Sequence, residues 1–156
     1  VVPEVAFGVL VPGNRELKDR DREERIRKYH KPYWDEANRQ VTSMISNSGH
    51  CLHISVHSFT PEIDPPSRRF DLGLLYDPAH ELECQIAKKL AAQAMMDGYS
   101  VEHNRPYSGT ADGLTTALRN RLPQLRYTSV EIEINQGSMR GEWAKKMAQT
   151  IIAGLS

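Results

Sequence analysis

The chain has 156 residues, 39% of them hydrophobic and 26% charged, with 20 basic and 20 acidic side chains and a formal net charge of zero. That is long enough for one domain with a real core. The charge balance argues against a dedicated nucleic-acid binder, which carries a basic surplus, and no apolar run approaches the ~20 residues a bilayer-spanning helix needs.

No basic-then-apolar signal segment opens the chain. Its two cysteines, Cys51 and Cys84, make no disulfide framework and have no CxxC partner; they read as reduced thiols of a cytoplasmic protein. The chain begins Val1-Val2-Pro3-Glu4 without an initiator methionine, which reads as a fragment or the ordered part of something longer.

Residues 1–15 contain two prolines and two glycines and predict an extended loop, with a turn at Pro12-Gly13-Asn14. A helix is expected from about Glu16. Ile26, His30, Tyr33, Ala37, Val41 and Met44 recur at spacings of three and four and define one face of it. Pro32 should kink or divide this helix, because it lacks an N–H and crowds the preceding turn. The charge-dense run from Arg20 to Lys31 reads as a solvated face with Glu/Arg pairs one turn apart, rather than as a nucleic-acid contact. The helix should end near Asn47-Ser48-Gly49.

Leu52-His53-Ile54-Ser55-Val56 alternates strictly and predicts a strand with one buried face, ending at His57-Ser58-Phe59-Thr60-Pro61. A second strand is expected in Phe70–Tyr76, after a loop holding Pro65, Pro66, Arg68 and Arg69. Asp77-Pro78 should start a helix that buries Leu82, Ile86, Ala87, Leu90, Ala91 and Ala94, with Gly98 as its C-terminal cap. Then come a short strand at Tyr99–His103, a loop from Asn104 to Gly113, and a short helix at Leu114–Leu122. Thr128–Ile134 alternates again, with Val130, Ile132 and Ile134 on one face and Glu131 and Glu133 on the other. A last helix from about Arg140 to Ala153 should turn Trp143, Ala144, Met147, Ala148 and Ile151 inward. Strands interleaved with helices indicate an α/β layered domain, and such sheets bind ligands where strands give way to loops.

Four kinds of chemistry are conceivable. His53 and His57 share a strand face and could bind one metal, though the spacing is weak evidence; His53 also fits a hydrogen-bonded structural histidine. Glu131 and Glu133 are either a solvated strand face or, beside zinc, a source of a proton-transferring carboxylate. Arg68, Arg69 and Arg105 could grip a carboxylate or lie in solvent; adjacent arginines point to opposite sides, so only one of the first two should face a site. Ser58 and Ser108 lack the GxSxG setting of a nucleophilic serine, and no glycine-rich phosphate loop exists.

Five segments together with Arg68, namely Tyr29-His30-Lys31-Pro32-Tyr33, Ser55–Pro61, Gly73–Asp77, Asn104–Gly109 and Ile132–Gln136, resemble the N-formylglutamate amidohydrolase family, as does Pro12-Gly13-Asn14-Arg15. The likeness covers nearly the whole chain in one order. It implies a zinc-exopeptidase-like (phosphorylase/hydrolase-like) α/β architecture, with a mixed sheet flanked by helices. It implies hydrolysis of a small-molecule N-acyl amino acid such as N-formyl-L-glutamate to formate and glutamate, with one zinc ion. By position, His57 matches a zinc ligand and Glu133 the general base and acid. Arg68, Arg69, Asn104, Arg105, Tyr107 and Ser108 fall in segments expected to touch substrate. The family's earlier zinc ligands are expected upstream of Val1, so residues 1–156 read as one α/β domain forming the C-terminal portion of a longer amidohydrolase domain. A non-catalytic ligand-binding module on the same fold is the alternative. No nucleic acid or membrane partner is expected.

Overall fold

The structure, a computed structural model, describes residues 17–62, 68–111, 113–122 and 126–156. The expectations for residues 1–15 and for Pro65-Pro66 lie outside the described residues. The chain divides into two compact units, residues 1–51 with 112–127, and residues 52–111 with 128–156.

In the first unit, α1 spans Asp19–Arg25 and α2 spans Lys31–Ser48, joined by a π-helical turn at Ile26–His30. Acidic Asp19 and Asp21 occupy the first turn of α1, where the helix dipole favours negative charge. Pro32 does not divide the helix. Its missing N–H and its ring disturb the turn before it, and there the backbone widens: Lys31 N–H bonds back to the Ile26 carbonyl, five residues away. No residue of α1 is buried, as the solvated-face reading expects. α2 closes at Gly49, whose φ of 78° suits a residue without a Cβ and whose N–H caps the Ile45 carbonyl at 2.8 Å.

The expected buried stripe is corrected by one position. Val41 and Ile45 are buried with Cys51, Leu118 and Tyr127, whereas Tyr33 is 59% and Met44 51% exposed. Steps of three and four both fit a helical period, and only the partner surface chooses between Met44 and Ile45. That surface includes α4, Leu114–Arg121, which buries Thr115, Leu118 and Arg119.

The second unit holds a four-stranded sheet in the order β1-β4-β2-β3 among the described residues: β1 Cys51–Phe59, β2 Leu72–Leu75, β3 Val101–His103 and β4 Tyr127–Asn135. β2 pairs parallel with β3 and antiparallel with β4. β1 and β4 run the same way: Cys51 N–H meets the Arg126 carbonyl at their starts, and Gln136 Nε2 donates to Ser58 Oγ near their ends. The sheet is thus mixed, as expected.

Leu72, Leu74, Val130, Ile132 and Ile134 face one side and form the core with Ala87, Leu90, Ala91, Ala94 and Met147; Ile54, Val101, Trp143 and Ile151 pack at its margin. These helical residues belong to α3, Glu81–Met96, and α5, Trp143–Leu155. Leu74 and Ile132 are fully buried, so truncating either to alanine should cost about 2–5 kcal/mol.

Three details depart from the periodic reading. α3 starts at Glu81, not Asp77: Asp77 Oδ1 accepts from Ala79 N–H at 2.9 Å and makes a turn first, and His80 caps the helix. Leu82 is 41% exposed while Glu83 is fully buried. β2 ends at Leu75, and the Glu83 carboxylate receives the donors beyond that end: Asp77 N–H at 2.8 Å, Ser129 N–H at 2.9 Å and the Ser129 hydroxyl at 3.2 Å. A buried carboxylate is stable only when so satisfied. In α5, Ala144 and Ala148 are exposed, and Thr150 and Gly154 are buried instead. Gly154 lets the helices close, since a Cβ there would lie 3.1 Å from Leu90 Cδ2.

Candidate active site

Strand alternation decides which side chains meet. Ile132 and Ile134 turn into the core, so Glu131, Glu133 and Asn135 occupy the opposite face of β4. Ile54 packs on the same core, so His53, Ser55 and His57 also take the opposite face of β1. His57 and Glu133 therefore lie on one side of the sheet. His57 is exposed, and its Nε2 lies 2.8 Å from Ser55 Oγ. His53 is half-buried; burial lowers its pKa, Glu131 pulls it up and His57 pushes it down.

Glu133 is the unusual group. It is 6% exposed, and its Oε2 has no hydrogen-bond partner among the described residues. Burial, then the neighbouring Glu131 charge, push its pKa up to about 7, against the pull of Arg68. A carboxyl balanced near neutrality can both take and give a proton.

The cover over Glu133 comes from the loop after β3. Gly73 pairs with Glu133 in the antiparallel register. A Cβ at Gly73 would lie 2.0 Å from the Arg105 carbonyl oxygen, so the loop backbone rests directly on the strand pair. Asn104 holds this loop: its φ is 51°, and its Oδ1 accepts from Tyr76 N–H at 3.1 Å and Gly109 N–H at 2.9 Å. Ser108 Oγ is 2.9 Å from Thr110 Oγ1 and caps Thr110 N–H. Asn104 and Ser108 thus shape the loop.

Of the adjacent arginines, Arg68 turns toward the site and Arg69 is exposed. The Arg68 guanidinium lies 5.1 Å from the Tyr107 ring centre and 6.0 Å from that of Phe59, and Nη1 donates to Tyr107 Oη at 3.3 Å. Aromatic faces on a cation fix its orientation. The Arg105 side chain is exposed and lies over Phe70, 5.8 Å from its ring centre.

Sequence reasoning placed Gly73 and Asn135 in segments that carry the resemblance but gave neither a role in the site. An isolated glycine inside a strand pattern is a known sign of close backbone approach. Asn135, next to a glycine turn at a strand end, carries the usual mark of a side chain that bonds local backbone. For metal, no group of three His, Cys, Asp or Glu side chains able to hold an ion exists among the described residues. His57 by itself does not make a zinc site.

A buried carboxyl under a loop of a mixed α/β sheet, with an arginine held between aromatic rings near it, makes this the candidate small-ligand site. The N-formylglutamate amidohydrolase family model matches residues 1–139, and the chain belongs to that family. Two solved structures share the fold. The gene product Atu2144 from Agrobacterium tumefaciens aligns with a TM-score of 0.69 at 24% identity, over 92% of this chain and 56% of its own. An N-formylglutamate amidohydrolase from Ralstonia eutropha JMP134 aligns with a TM-score of 0.66 at 21% identity, over 85% of this chain and 52% of its own. The chain therefore spans a little over half the length of these two structures. No curated protein sequence matches it. No helix among the described residues is long and apolar enough to cross a membrane.

Proposed function

We propose that this chain carries the catalytic carboxyl of an amidohydrolase that cleaves N-formyl-L-glutamate, or a close N-acyl amino acid, to formate and the free amino acid. The observation that carries this reading is Glu133, buried, with one oxygen unpartnered among the described residues and a pKa near 7. Glu133 takes a proton from the attacking water. It then returns that proton to the leaving amine as the C–N bond breaks, so that one water is consumed per amide. Arg68, oriented by Tyr107, pairs with a substrate carboxylate through its planar fork. The loop from Asn104 to Ser108 closes the site, with Arg105 at its rim, and the exposed Arg69 adds only positive charge at longer range.

Zinc belongs to this proposal as the group that polarises an amide carbonyl and acidifies water. His57 is the donor assigned to it; the described residues do not supply the rest of a site, so no step here is routed through the metal. A cytoplasmic location accords with two free cysteines.

The test is formate release from N-formyl-L-glutamate by the purified protein, with and without added zinc, compared with Glu133→Gln. Loss of about 10²–10⁴-fold in rate is expected for a proton-transferring group. Full activity in the variant removes Glu133 from the chemistry. Binding of N-formyl-L-glutamate without turnover by the unaltered protein favours the ligand-binding module on the same fold.

A further inference from the structure

We infer that Asn135 is a positioning residue that sets where Arg68 stands relative to Glu133. It is the last residue of β4, two beyond Glu133, and is 7% exposed. Its side chain makes three hydrogen bonds in two directions. Nδ2 donates to the Phe70 carbonyl at 2.7 Å and the Arg68 carbonyl at 3.3 Å, while Oδ1 accepts from Gly137 N–H at 2.8 Å. Its own N–H donates to the Asp71 carbonyl at 2.9 Å. The strand that bears Glu133 is thereby tied, within two residues of it, to the backbone that bears Arg68.

The rest of that backbone is anchored elsewhere. Asp71 is held by Ser100 and Ser138, and Arg68 N–H reaches the Pro61 carbonyl at 3.0 Å. Only the Asn135 side chain, among the bonds described, joins the Arg68 carbonyl to β4. A guanidinium grips a carboxylate well only from a fixed base, and the Tyr107 and Phe59 rings orient its head but not its Cα.

A purely structural Asn135 would stabilise the turn and leave Arg68 no special part, so the test is a double-mutant cycle. The Glu133 carboxyl is followed by ¹³C NMR as pH is varied, in the unaltered chain, Asn135→Ala, Arg68→Ala and the double variant. The groups acting on Glu133 are Glu131 on its own strand and Arg68 on the facing segment. Asn135→Ala is expected to move the Glu133 titration upward, because Arg68 no longer holds it down, and the movement is expected to vanish when Arg68 is already alanine. Equal shifts in both backgrounds, or no shift in either, overturn the assignment.

If Asn135→Ala does not fold, Asn135→Asp serves in the same cycle. It keeps the acceptor for Gly137 and loses both donations, and its own charge acts in both Arg68 backgrounds. A second arm deepens the proposed function and rests on it: calorimetric affinity for N-formyl-L-glutamate should fall roughly tenfold in Asn135→Ala, while affinity for N-butylformamide, which has no carboxylate, should not change. An equal loss for both compounds counts against the assignment. If the unaltered chain binds neither compound, the proposed function fails, and the NMR cycle still decides Asn135.

Discussion

Gly73 and Glu133 face each other across the antiparallel β2–β4 pair, and a Cβ on Gly73 would lie 3.3 Å from the Glu133 Cβ and 2.0 Å from the Arg105 carbonyl oxygen. The absence of a side chain at one residue is what lets the loop lie down over the other. Gly73→Ala should therefore lift the loop or strain the strand, at a cost of about 1–3 kcal/mol or more. The urea midpoint should fall, and the Glu133 titration should drop as water reaches it. An unchanged midpoint would show that the loop backbone is not seated on Gly73.

Glu133 should make stability depend on pH in a defined direction. Its folded pKa is raised from 4.5 to about 7, so the folded state holds a proton that the unfolded state has released. Stability falls as pH rises between those values and levels off above the folded one. Glu133→Gln removes the dependence. The variant should match the unaltered chain near pH 4 and exceed it at pH 8, by roughly 3 kcal/mol at most. Chemical denaturation of the zinc-free protein at the two pH values measures the difference; a variant less stable at pH 8 contradicts it.

Glu83 and its neighbour Leu82 should behave opposite to their usual ranks. Glu83→Gln replaces an acceptor by an NH₂ that meets backbone N–H donors, and should cost about 1–3 kcal/mol through unsatisfied buried groups. Leu82→Ala removes an exposed side chain and should stay within about 0.5 kcal/mol. Thermal melts of the two variants side by side give the answer, and a larger loss for Leu82→Ala would refute the burial pattern.

The two adjacent arginines should separate functionally. Arg68→Lys keeps the charge but loses the planar fork and the Tyr107 contact, and should weaken N-formyl-L-glutamate binding by about tenfold or more. Arg69→Ala, at an exposed position, should change binding much less. Titration calorimetry compares them; equal losses would mean that both cations face the ligand.

Much of this architecture is legible in one dimension. Period-two alternation in β1 and β4 assigns His57 and Glu133 to faces, and it needs only one core contact from each strand, Ile54 and Ile132, to show that the faces are the same. Helix ends at Gly49 and Gly98 follow from glycine's freedom at positive φ. What periodicity could not settle was which neighbouring stripe of a helix is buried: Ile45 rather than Met44, Glu83 rather than Leu82, and in α5 Thr150 and Gly154 rather than Ala144 and Ala148. A helix has neighbouring ridges three and four residues apart, and the partner selects one of them.

The sequence by itself determined the elements, their alternating faces and the residue types delivered to the loop end of the sheet, because these depend on neighbours within a few positions. The tertiary structure alone decided that the Arg105 backbone covers Gly73, that Arg68 rather than Arg69 turns to Glu133, and that Asn135 joins the two segments. Those outcomes rest on hydrogen bonds and close contacts between residues 28 to 67 positions apart in the chain, such as Tyr76–Asn104 and Asn135–Arg68. No local propensity encodes a distance of that kind; it exists only once the chain has closed on itself.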